Sequence, residues 1–265
     1  VRLWDLRSGV CRHVMHGHTD WIRALAFDPR ARILASAAED GRIILWDVAS
    51  GDRIRQIEGG MDRVLAVAFC DDGRRIAAGG TGSTIHLFST GDGSRIGELT
   101  GHEGWISAIV PPDAAALTLA SCSEDGTVKL WDLARGKCTG TLIVGCKVWC
   151  GSFCDGGESF VSGSEDGKLR RWTLRSAHCE SQAQAHQGAV WSLAVNPAED
   201  TVATAGNDGA IRLWRLPGVT PYPALGTLRP ARPYEGMNIT GATGLAPAQR
   251  EALLALGAMS IPAMG

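Results

Sequence analysis

The chain has 265 residues, of which 45% are hydrophobic and 20% are charged, and its formal net charge is -2. A chain of this length can bury a substantial core, and its nearly balanced charge gives no basic field for nucleic acid or for an anionic membrane surface. It contains no run of about 18 apolar residues and no long apolar stretch near Val1, so we expect a cytoplasmic protein with neither nucleic acid nor a membrane as partner.

A repeat of about 42 residues runs through most of the chain. The clearest copy is LASCSEDGTVKLWDL at residues 119–133, and related copies occur at 35–48, 161–174 and 203–216. One aromatic position marks successive copies with spacings of 42, 42, 43, 41 and 42 residues, at Trp4, Trp46, Phe88, Trp131, Trp172 and Trp214. This period is typical of a four-stranded propeller blade.

Short motifs recur at fixed places in the repeat. Gly-His pairs occur at residues 17–18 and 101–102, and Trp-Asp pairs occur at 4–5, 46–47 and 131–132. In these motifs and in its period, the segment from Val1 to about Leu228 resembles the WD-repeat (WD40) family. The resemblance implies an all-β propeller of four-stranded antiparallel blades that acts as a scaffold for protein interactions.

The strands are predicted in chain order from short apolar runs that are separated by turn residues. Residues 1–6 and 10–16 are the third and fourth strands of a blade without its first two, so we expect an open arc or a blade of two strands. Blade one follows with strands at 22–27, 33–37, 42–47 and 53–57, and Asp40-Gly41 forms its hairpin turn. Four more blades are predicted at residues 64–99, 106–142, 148–183 and 190–228.

Two of these blades depart from the repeat pattern. Blade two has Gly60 at the histidine position, Gly82 in place of the turn aspartate, and Phe88 in place of tryptophan. We expect it to fold by packing alone. Blade four keeps its tryptophan but has Val144 at the histidine position.

The repeat ends near Leu228, which predicts two domains, a propeller at residues 1–228 and a Pro-rich tail with one short helix at 229–265. The helix is expected to begin at Pro247, to carry an apolar stripe and to stop at Gly257. The stripe comprises Leu245, Ala248, Ala252, Leu253 and Leu256. The run at residues 232–239 resembles the ends of bacterial signalling NTPases of the NACHT/NB-ARC type that carry WD repeats, which implies an upstream domain in the same polypeptide.

Three sets of polar residues recur in register, each with the histidine, hydroxyl and aspartate of a hydrolase triad. They are His18, Ser36, Asp40 and Trp46; His102, Ser121, Asp125 and Trp131; and His186, Thr204, Asp208 and Trp214. Three nucleophiles at equal spacing in one domain are improbable, so the recurrence favours a structural role. The family resemblance implies a buried hydrogen-bond tetrad, in which an unpaired member would cost about 1–3 kcal/mol.

The cysteines and one glycine-rich loop do not have the pattern of a metal site or a phosphate-binding loop. Cys146, Cys150 and Cys154 are spaced four residues apart, which on a strand is about 13 Å and too far for three thiolates to share one metal ion. Residues 79–84 are rich in glycine but lack the lysine of a phosphate-binding loop. We therefore expect reduced thiols, no metal and no cofactor.

Four further tryptophans fall near the start of a blade. Trp21 and Trp105 follow the histidine position by three residues, and Trp149 and Trp191 follow it by five, so all four should point to one side of the first strand. The family resemblance places this part of the strand at the top rim of the central channel, although packing between blades is an alternative. Neighbouring rim candidates are Arg23, Glu39, Arg63, Glu124, Lys147, Glu165 and Asn207.

The sequence therefore predicts a non-enzymatic interaction scaffold that binds a protein or peptide on its top rim, as the C-terminal sensor of a larger bacterial signalling protein. Two alternatives stay open. One is an enzyme with a hydrolytic site in the channel, and the other is a structural repeat domain without a specific ligand.

Overall fold

The structure is a computed structural model, and it describes residues 1–112, 117–216, 224–228, 237, 239–240, 246–255 and 259. The chain divides into two compact units, Val1–Thr227 and Leu228–Gly265. The Pro-rich loop at residues 217–223, most of the run at 232–239, and the helix positions Leu245, Leu256 and Gly257 lie outside the described residues.

The first unit consists of short antiparallel strands. β1 (Arg2–Trp4) and β2 (Cys11–Val14) form a two-stranded sheet, the half blade that the sequence predicted. Blade one comprises β3 (Ile22–Phe27), β4 (Ile33–Ala38), β5 (Arg42–Asp47) and β6 (Arg53–Glu58). Blade two comprises β7 (Val64–Cys70), β8 (Arg75–Gly80), β9 (Ile85–Ser89) and β10 (Arg95–Leu99).

Three more sheets have the same order of strands. Blade three comprises β11 (Ile106–Val110), β12 (Thr118–Ser123), β13 (Thr127–Asp132) and β14 (Lys137–Ile143). Blade four comprises β15 (Val148–Cys154), β16 (Ser159–Ser164), β17 (Lys168–Thr173) and β18 (His178–Gln184), with a short 3-10 helix at Asp155–Gly157. Blade five comprises β19 (Val190–Asn196), β20 (Thr201–Gly206), β21 (Ile211–Arg215) and β22 (Ala224–Leu228). The five-bladed propeller of four-stranded sheets agrees with the predicted fold class.

The core lies between the flat faces of neighbouring blades. Small side chains such as Ala35 and Ala37 on blade one are fully buried, and they pack against a set of larger apolar residues on blade two. That set includes Val64, Val67 and Phe69. Alternation of small and large residues brings the sheets close enough to exclude water, which is why the second strands are rich in alanine, serine and glycine.

The hairpin between the second and third strands is a tight turn in blades one, three and four. Gly41, Gly126 and Gly167 have φ values of +78°, +83° and +77°, which favour glycine because a Cβ atom would be strained there. The preceding aspartate accepts a backbone hydrogen bond across the turn, as in the 3.1 Å contact from Arg42 N–H to Asp40 Oδ1. The Asp-Gly pair therefore fixes where β5 begins.

The strands of the half blade are shorter than predicted, and its repeat tryptophan is only partly buried. Asp5 Oδ1 accepts hydrogen bonds from the N–H groups of Arg7 and Ser8, at 3.0 and 2.9 Å, so the chain turns before Leu6 and the predicted strand to Leu6 ends at Trp4. Among the described residues β1 pairs only with β2. Trp4 is consequently 50% exposed, whereas Trp46 at the equivalent place in blade one is 2% exposed.

In the described part of the second unit, Pro247–Ala255 forms the helix α1, which begins at the predicted proline. Gln249 Oε1 accepts a 3.0 Å hydrogen bond from Ala246 N–H and so caps its first turn. Leu253 is half-buried, but Ala248 and Ala252, which the pattern assigns to the same apolar stripe, are exposed. None of the helices in the described parts of the chain has the length and apolar character needed to cross a bilayer.

The different burial of equivalent tryptophans gives a stability prediction. Trp131→Ala should lower the free energy of unfolding by about 3–5 kcal/mol, because it removes a fully packed indole. Trp4→Ala should lower the free energy of unfolding by well under half as much. Trp4 is half-exposed, and among the described residues β1 has no neighbouring second strand to supply the hydroxyl that the other repeat tryptophans bind. Equilibrium urea unfolding of both variants would test this, and equal losses would contradict the half blade.

Candidate functional site

Each first strand carries a β-bulge near its start. The pairing register with the second strand shifts by one residue in all five blades, between Ile22 and Ala24 in blade one and at the corresponding place in the others. The extra residues are Arg23, Leu65, Ser107, Trp149 and Trp191. A bulge redirects a side chain out of the regular alternation, so the five blades present five equivalent side chains together.

A second ring of backbone contacts lies beside the bulges. In each blade the residue at or just after the end of the second strand donates its N–H to the carbonyl of the residue before the first strand, at 2.9–3.2 Å. The donors are Glu39, Thr81, Glu124, Glu165 and Asn207, and the acceptors are Trp21, Arg63, Trp105, Lys147 and Ala189. The predicted rim residues therefore occupy three equivalent positions of the repeat.

The five bulge residues line an open pocket of about 410 Å³, which we call the rim pocket. Its walls are Arg23, Glu39, Arg63, Leu65, Trp105, Ser107, Glu124, Trp149 and Trp191. Below it a smaller cavity of about 240 Å³ continues between the first strands of all five blades. The sequence did not single out Leu65 and Ser107, although both follow the histidine position by the same five residues as Trp149 and Trp191.

Charged side chains in the rim pocket are paired. One Glu39 oxygen accepts from Arg23, and its other oxygen lies 3.2 Å from Arg63 Nη1. Glu124 lies 2.8 Å from Lys147 Nζ, and the bond to this carboxylate raises the pKa of Lys147. These pairs hold long side chains in fixed positions at the mouth of the pocket.

The tryptophans of the rim do not form one set. Trp149 and Trp191 contact each other with ring centroids 4.8 Å apart, and Trp191 Nε1 is 3.4 Å from Asn207 Oδ1. Trp149 Nε1 is buried and has no hydrogen-bond partner among the described residues. Trp21 is 70% exposed, stacks with Arg23 at 5.0 Å, and does not line the rim pocket. Trp105, at the same repeat position as Trp21, does line the rim pocket, so neither repeat position nor parity along the strand decides which tryptophans meet.

Glu165 and Asn207 lie on the same ring as Glu39 and Glu124 but outside the walls of the pocket. Glu165 is exposed, and no ion pair links it to another residue in the described part of the chain. The structure thus brings together seven of the eleven rim candidates as pocket walls, namely Arg23, Glu39, Arg63, Trp105, Glu124, Trp149 and Trp191. Lys147 contributes through its bond to Glu124.

The three polar sets each form a continuous chain of hydrogen bonds. In blade three, His102 Nδ1 is 2.6 Å from Asp125 Oδ2, His102 Nε2 is 2.7 Å from Ser121 Oγ, and Trp131 Nε1 donates to Ser121 Oγ at 2.8 Å. Blade one has the same contacts at 2.9, 2.7 and 2.8 Å through His18, Asp40, Ser36 and Trp46. Blade five has them at 2.8, 2.8 and 2.9 Å through His186, Asp208, Thr204 and Trp214.

The hydroxyl groups of these sets are closed to any substrate. Ser36 and Ser121 are 0% exposed and Thr204 is 1% exposed. Each oxygen already accepts a hydrogen bond from an indole and contacts an imidazole. The arrangement suits a buried polar network and leaves no room for a carbonyl group at the hydroxyl.

Comparison with known proteins agrees with this architecture. The family model described as WD domain, G-beta repeat, matches residues 9–47, 51–89, 93–132, 136–173 and 178–215, which together make up most of the chain. The chain belongs to the WD40 family. WD-repeat proteins generally act as protein-interaction scaffolds, and the propeller fold is typically non-catalytic.

Several curated proteins are similar to this WD40 chain over part of their length. Autophagy-related protein 16 of Arabidopsis thaliana is 31% identical over 110 residues, which are 41% of this chain and 21% of that protein. WD repeat-containing protein 3 of Homo sapiens is 28% identical over 99 residues, 37% of this chain and 10% of that protein. The p21-activated protein kinase-interacting protein 1-like of Xenopus laevis is 29% identical over 99 residues, which are 37% of this chain and 27% of that protein. The matches thus span only a tenth to about a quarter of these relatives.

Two WD40 blades lack the histidine, and in each a side chain of the third strand lies near the space that the histidine fills elsewhere. In blade four, where Val144 takes the histidine position, Arg170 reaches Asp166 and donates to Ser164 Oγ at 2.6 Å. In blade two the ring of His86 lies beside Gly60, since a Cβ atom added to Gly60 would be 3.7 Å from His86 Nε2. Both residues stand two positions before the repeat aromatic, but His86 Nδ1 is buried without a hydrogen-bond partner among the described residues, so His86 fills space without restoring the polar network. That blade two folds by packing alone stays a prediction.

The cysteines are free thiols, and Cys150 and Cys154 are buried. Burial raises the pKa of both thiols to about 12, which keeps them protonated. Within the described ranges, no group of three or more histidine, cysteine or acidic side chains is arranged to hold a metal ion.

The tetrad predicts loss of stability in acid. Burial lowers the pKa of His102, so between that lowered value and 6.5 only the unfolded chain binds the proton and stability falls as the pH falls. Burial alone would raise the pKa of Asp125, but hydrogen bonds from Thr127, Glu103 N–H and His102 together lower it to about 2. A second loss of stability should therefore follow between about pH 4 and pH 2.

Thermal melting from pH 7.5 to pH 2.5 would test both steps. His102→Gln should abolish much of the upper step, whereas His178→Gln, which changes an exposed histidine, should keep it. A melting temperature that stays constant from pH 7 to pH 5 in the parent chain would contradict the prediction.

Proposed function

We propose that this chain is a protein-interaction module that binds a protein or peptide at the rim pocket. The observation that carries the proposal is the pocket itself, where Trp105, Trp149 and Trp191 stand opposite paired arginines. Trp105 and Trp191 are 44% and 50% exposed, although indoles are normally buried. Exposed tryptophan and arginine side chains are the residues most enriched in interface hot spots.

We also propose that the chain is not an enzyme. Support comes from the buried hydroxyls of the tetrads and from the pairing of every rim-pocket carboxylate with a cation. The rim pocket holds no acid and base pair free for proton transfer, since Glu39 and Glu124 are both in ion pairs.

The wider context is a proposal from sequence alone. The resemblance of residues 232–239 to the ends of bacterial NACHT/NB-ARC proteins supports a cytoplasmic signalling protein in which these repeats act as a C-terminal sensor. Reading the gene upstream of Val1 tests this, and a reading frame without a nucleotide-binding motif would remove it.

The rim pocket gives a test that separates binding from folding. Trp191→Ser should keep most of the stability, because the indole is half-exposed. It should weaken partner binding by about 2 kcal/mol or more, roughly 30-fold in Kd, as for other hot-spot residues. Trp172→Ser should instead unfold the blade at about 3–5 kcal/mol, because that indole is buried and bonded to Ser162.

Trp21→Ser is the matched control, since Trp21 is more exposed than Trp191 but does not line the pocket. Thermal melting and comparative pull-down from a lysate of the source organism would be measured for the three variants. The proposal fails if Trp191→Ser retains every partner of the parent chain, or if it loses no more than Trp21→Ser does.

A further inference from the structure

One wall of the rim pocket holds two arginines on a single carboxylate. Glu39 accepts a hydrogen bond from Arg23 at one oxygen and forms an ion pair with Arg63 Nη1 at the other, at 3.2 Å. The Glu39 side chain is 9% exposed, but those of Arg23 and Arg63 are 42% and 52% exposed. The buried carboxylate therefore orients two guanidinium groups that still face the solvent of the pocket.

Both guanidinium groups keep unused hydrogen-bond donors. A guanidinium has five N–H bonds. Arg23 directs Nε and Nη2 toward Glu39, and Arg63 directs Nη1 toward it. Across the described residues, the remaining N–H groups of these two side chains have no protein acceptor. Arg23 is further held by its 5.0 Å contact with the Trp21 ring, so part of the cost of ordering it on binding is already met.

The charge on one wall of the pocket favours an anion. Glu39 neutralises only one of its two arginines, which leaves one net positive charge on the wall of Arg23, Arg63 and Glu39. Elsewhere at the rim, Lys147 is bonded to Glu124 and attracted by Glu165, so no further positive charge is left there. A monoanion matches this charge, whereas a cationic side chain would meet two arginines and a phosphate dianion would exceed it.

The other walls favour a flat apolar group. Trp105, Trp149, Trp191 and Leu65 supply most of the apolar lining, and the volume of about 410 Å³ lies within the range of small-ligand pockets, about 300–1,000 Å³. A single residue cannot satisfy both walls, because carboxylate side chains lack an apolar body of that size. The pocket thus fits two neighbouring side chains of different chemistry.

We propose that the rim pocket recognises an acidic side chain next to an aromatic one in an extended segment of the partner protein. Arg23 and Arg63 bind the carboxylate of the aspartate or glutamate, and the aromatic ring enters between Trp105, Trp149 and Trp191. This assignment rests on the proposed function of the rim pocket and names the chemistry of its partner.

Three small probes that share the indole ring system but differ in charge test the assignment directly. They are indole-3-acetate, indole-3-acetamide and tryptamine, titrated into the full chain and followed by NMR of the tryptophan indole N–H signals. Indole-3-acetate should bind about tenfold more tightly than the amide, because a charge-assisted hydrogen bond exceeds a neutral one by about 1.4 kcal/mol. Tryptamine should bind most weakly.

Variants assign the preference to the proposed groups. Arg63→Gln should reduce the tenfold preference for the acid to about twofold or less while the amide binds as before. Arg53→Gln, which changes an exposed arginine on β6 of blade one, should keep the preference. Trp191→Ser should weaken all three probes together. Melting curves of each variant would show that the fold is retained.

The inference is overturned if tryptamine or the amide binds as tightly as the acid, if the acid shows no binding at millimolar concentration, or if Arg63→Gln leaves the preference intact. Each of these results would leave the interaction function standing, provided that Trp191→Ser still loses partners that Trp21→Ser retains. Loss of the interaction function would instead show in that pair of variants.

Discussion

The hydrogen bond from the repeat tryptophan to a hydroxyl on the preceding strand is the interaction on which the blades depend. It joins residues ten apart in four blades, at 2.8–2.9 Å, through Ser36, Ser121, Ser162 and Thr204. The hydroxyl and the indole are both buried, so each would carry an unsatisfied polar group if the strands slipped by one residue. The bond therefore fixes the register of the second and third strands as well as contributing energy.

The histidine and aspartate that extend this network are less strictly required. Blade four keeps the tryptophan and serine but lets Arg170 bind the turn aspartate from the third strand, and blade five uses Arg212 in addition to His186. Blade two has neither tryptophan nor hydroxyl and places His86 near Gly60. These blades share a polar side chain two residues before the aromatic, and it approaches the same space from the third strand. The common requirement is thus that this space is filled. Arg170 and Arg212 also pair there with the turn aspartate, whereas His86 Nδ1 has no hydrogen-bond partner among the described residues.

The bulge near the start of each first strand connects this framework to the candidate binding surface. Because the register shifts there, one residue per blade leaves the alternation of buried and channel-facing positions without disturbing the rest of the strand. Val148 and Cys150 on either side of Trp149 are buried between blades, so the scaffold is insulated from changes at the bulge. Five positions that differ widely in chemistry, from Arg23 to Leu65 to Trp191, can therefore share one fold.

The sequence by itself determined the number of blades, the limits of most strands, the half blade and the members of the three tetrads. It could do so because register within a blade depends on contacts between residues near in the chain, such as Ser121 and Trp131, and those recur at fixed spacing. Only the tertiary structure decided which rim residues meet, since Arg23, Trp105 and Trp191 come from different blades. Parity along the strand grouped all four tryptophans, but Trp105, Trp149 and Trp191 line the rim pocket and Trp21 does not. The position of Arg170 and His86 near the space of the missing histidine was likewise decided in three dimensions, because the third strand meets the segment before the first strand only in the folded blades.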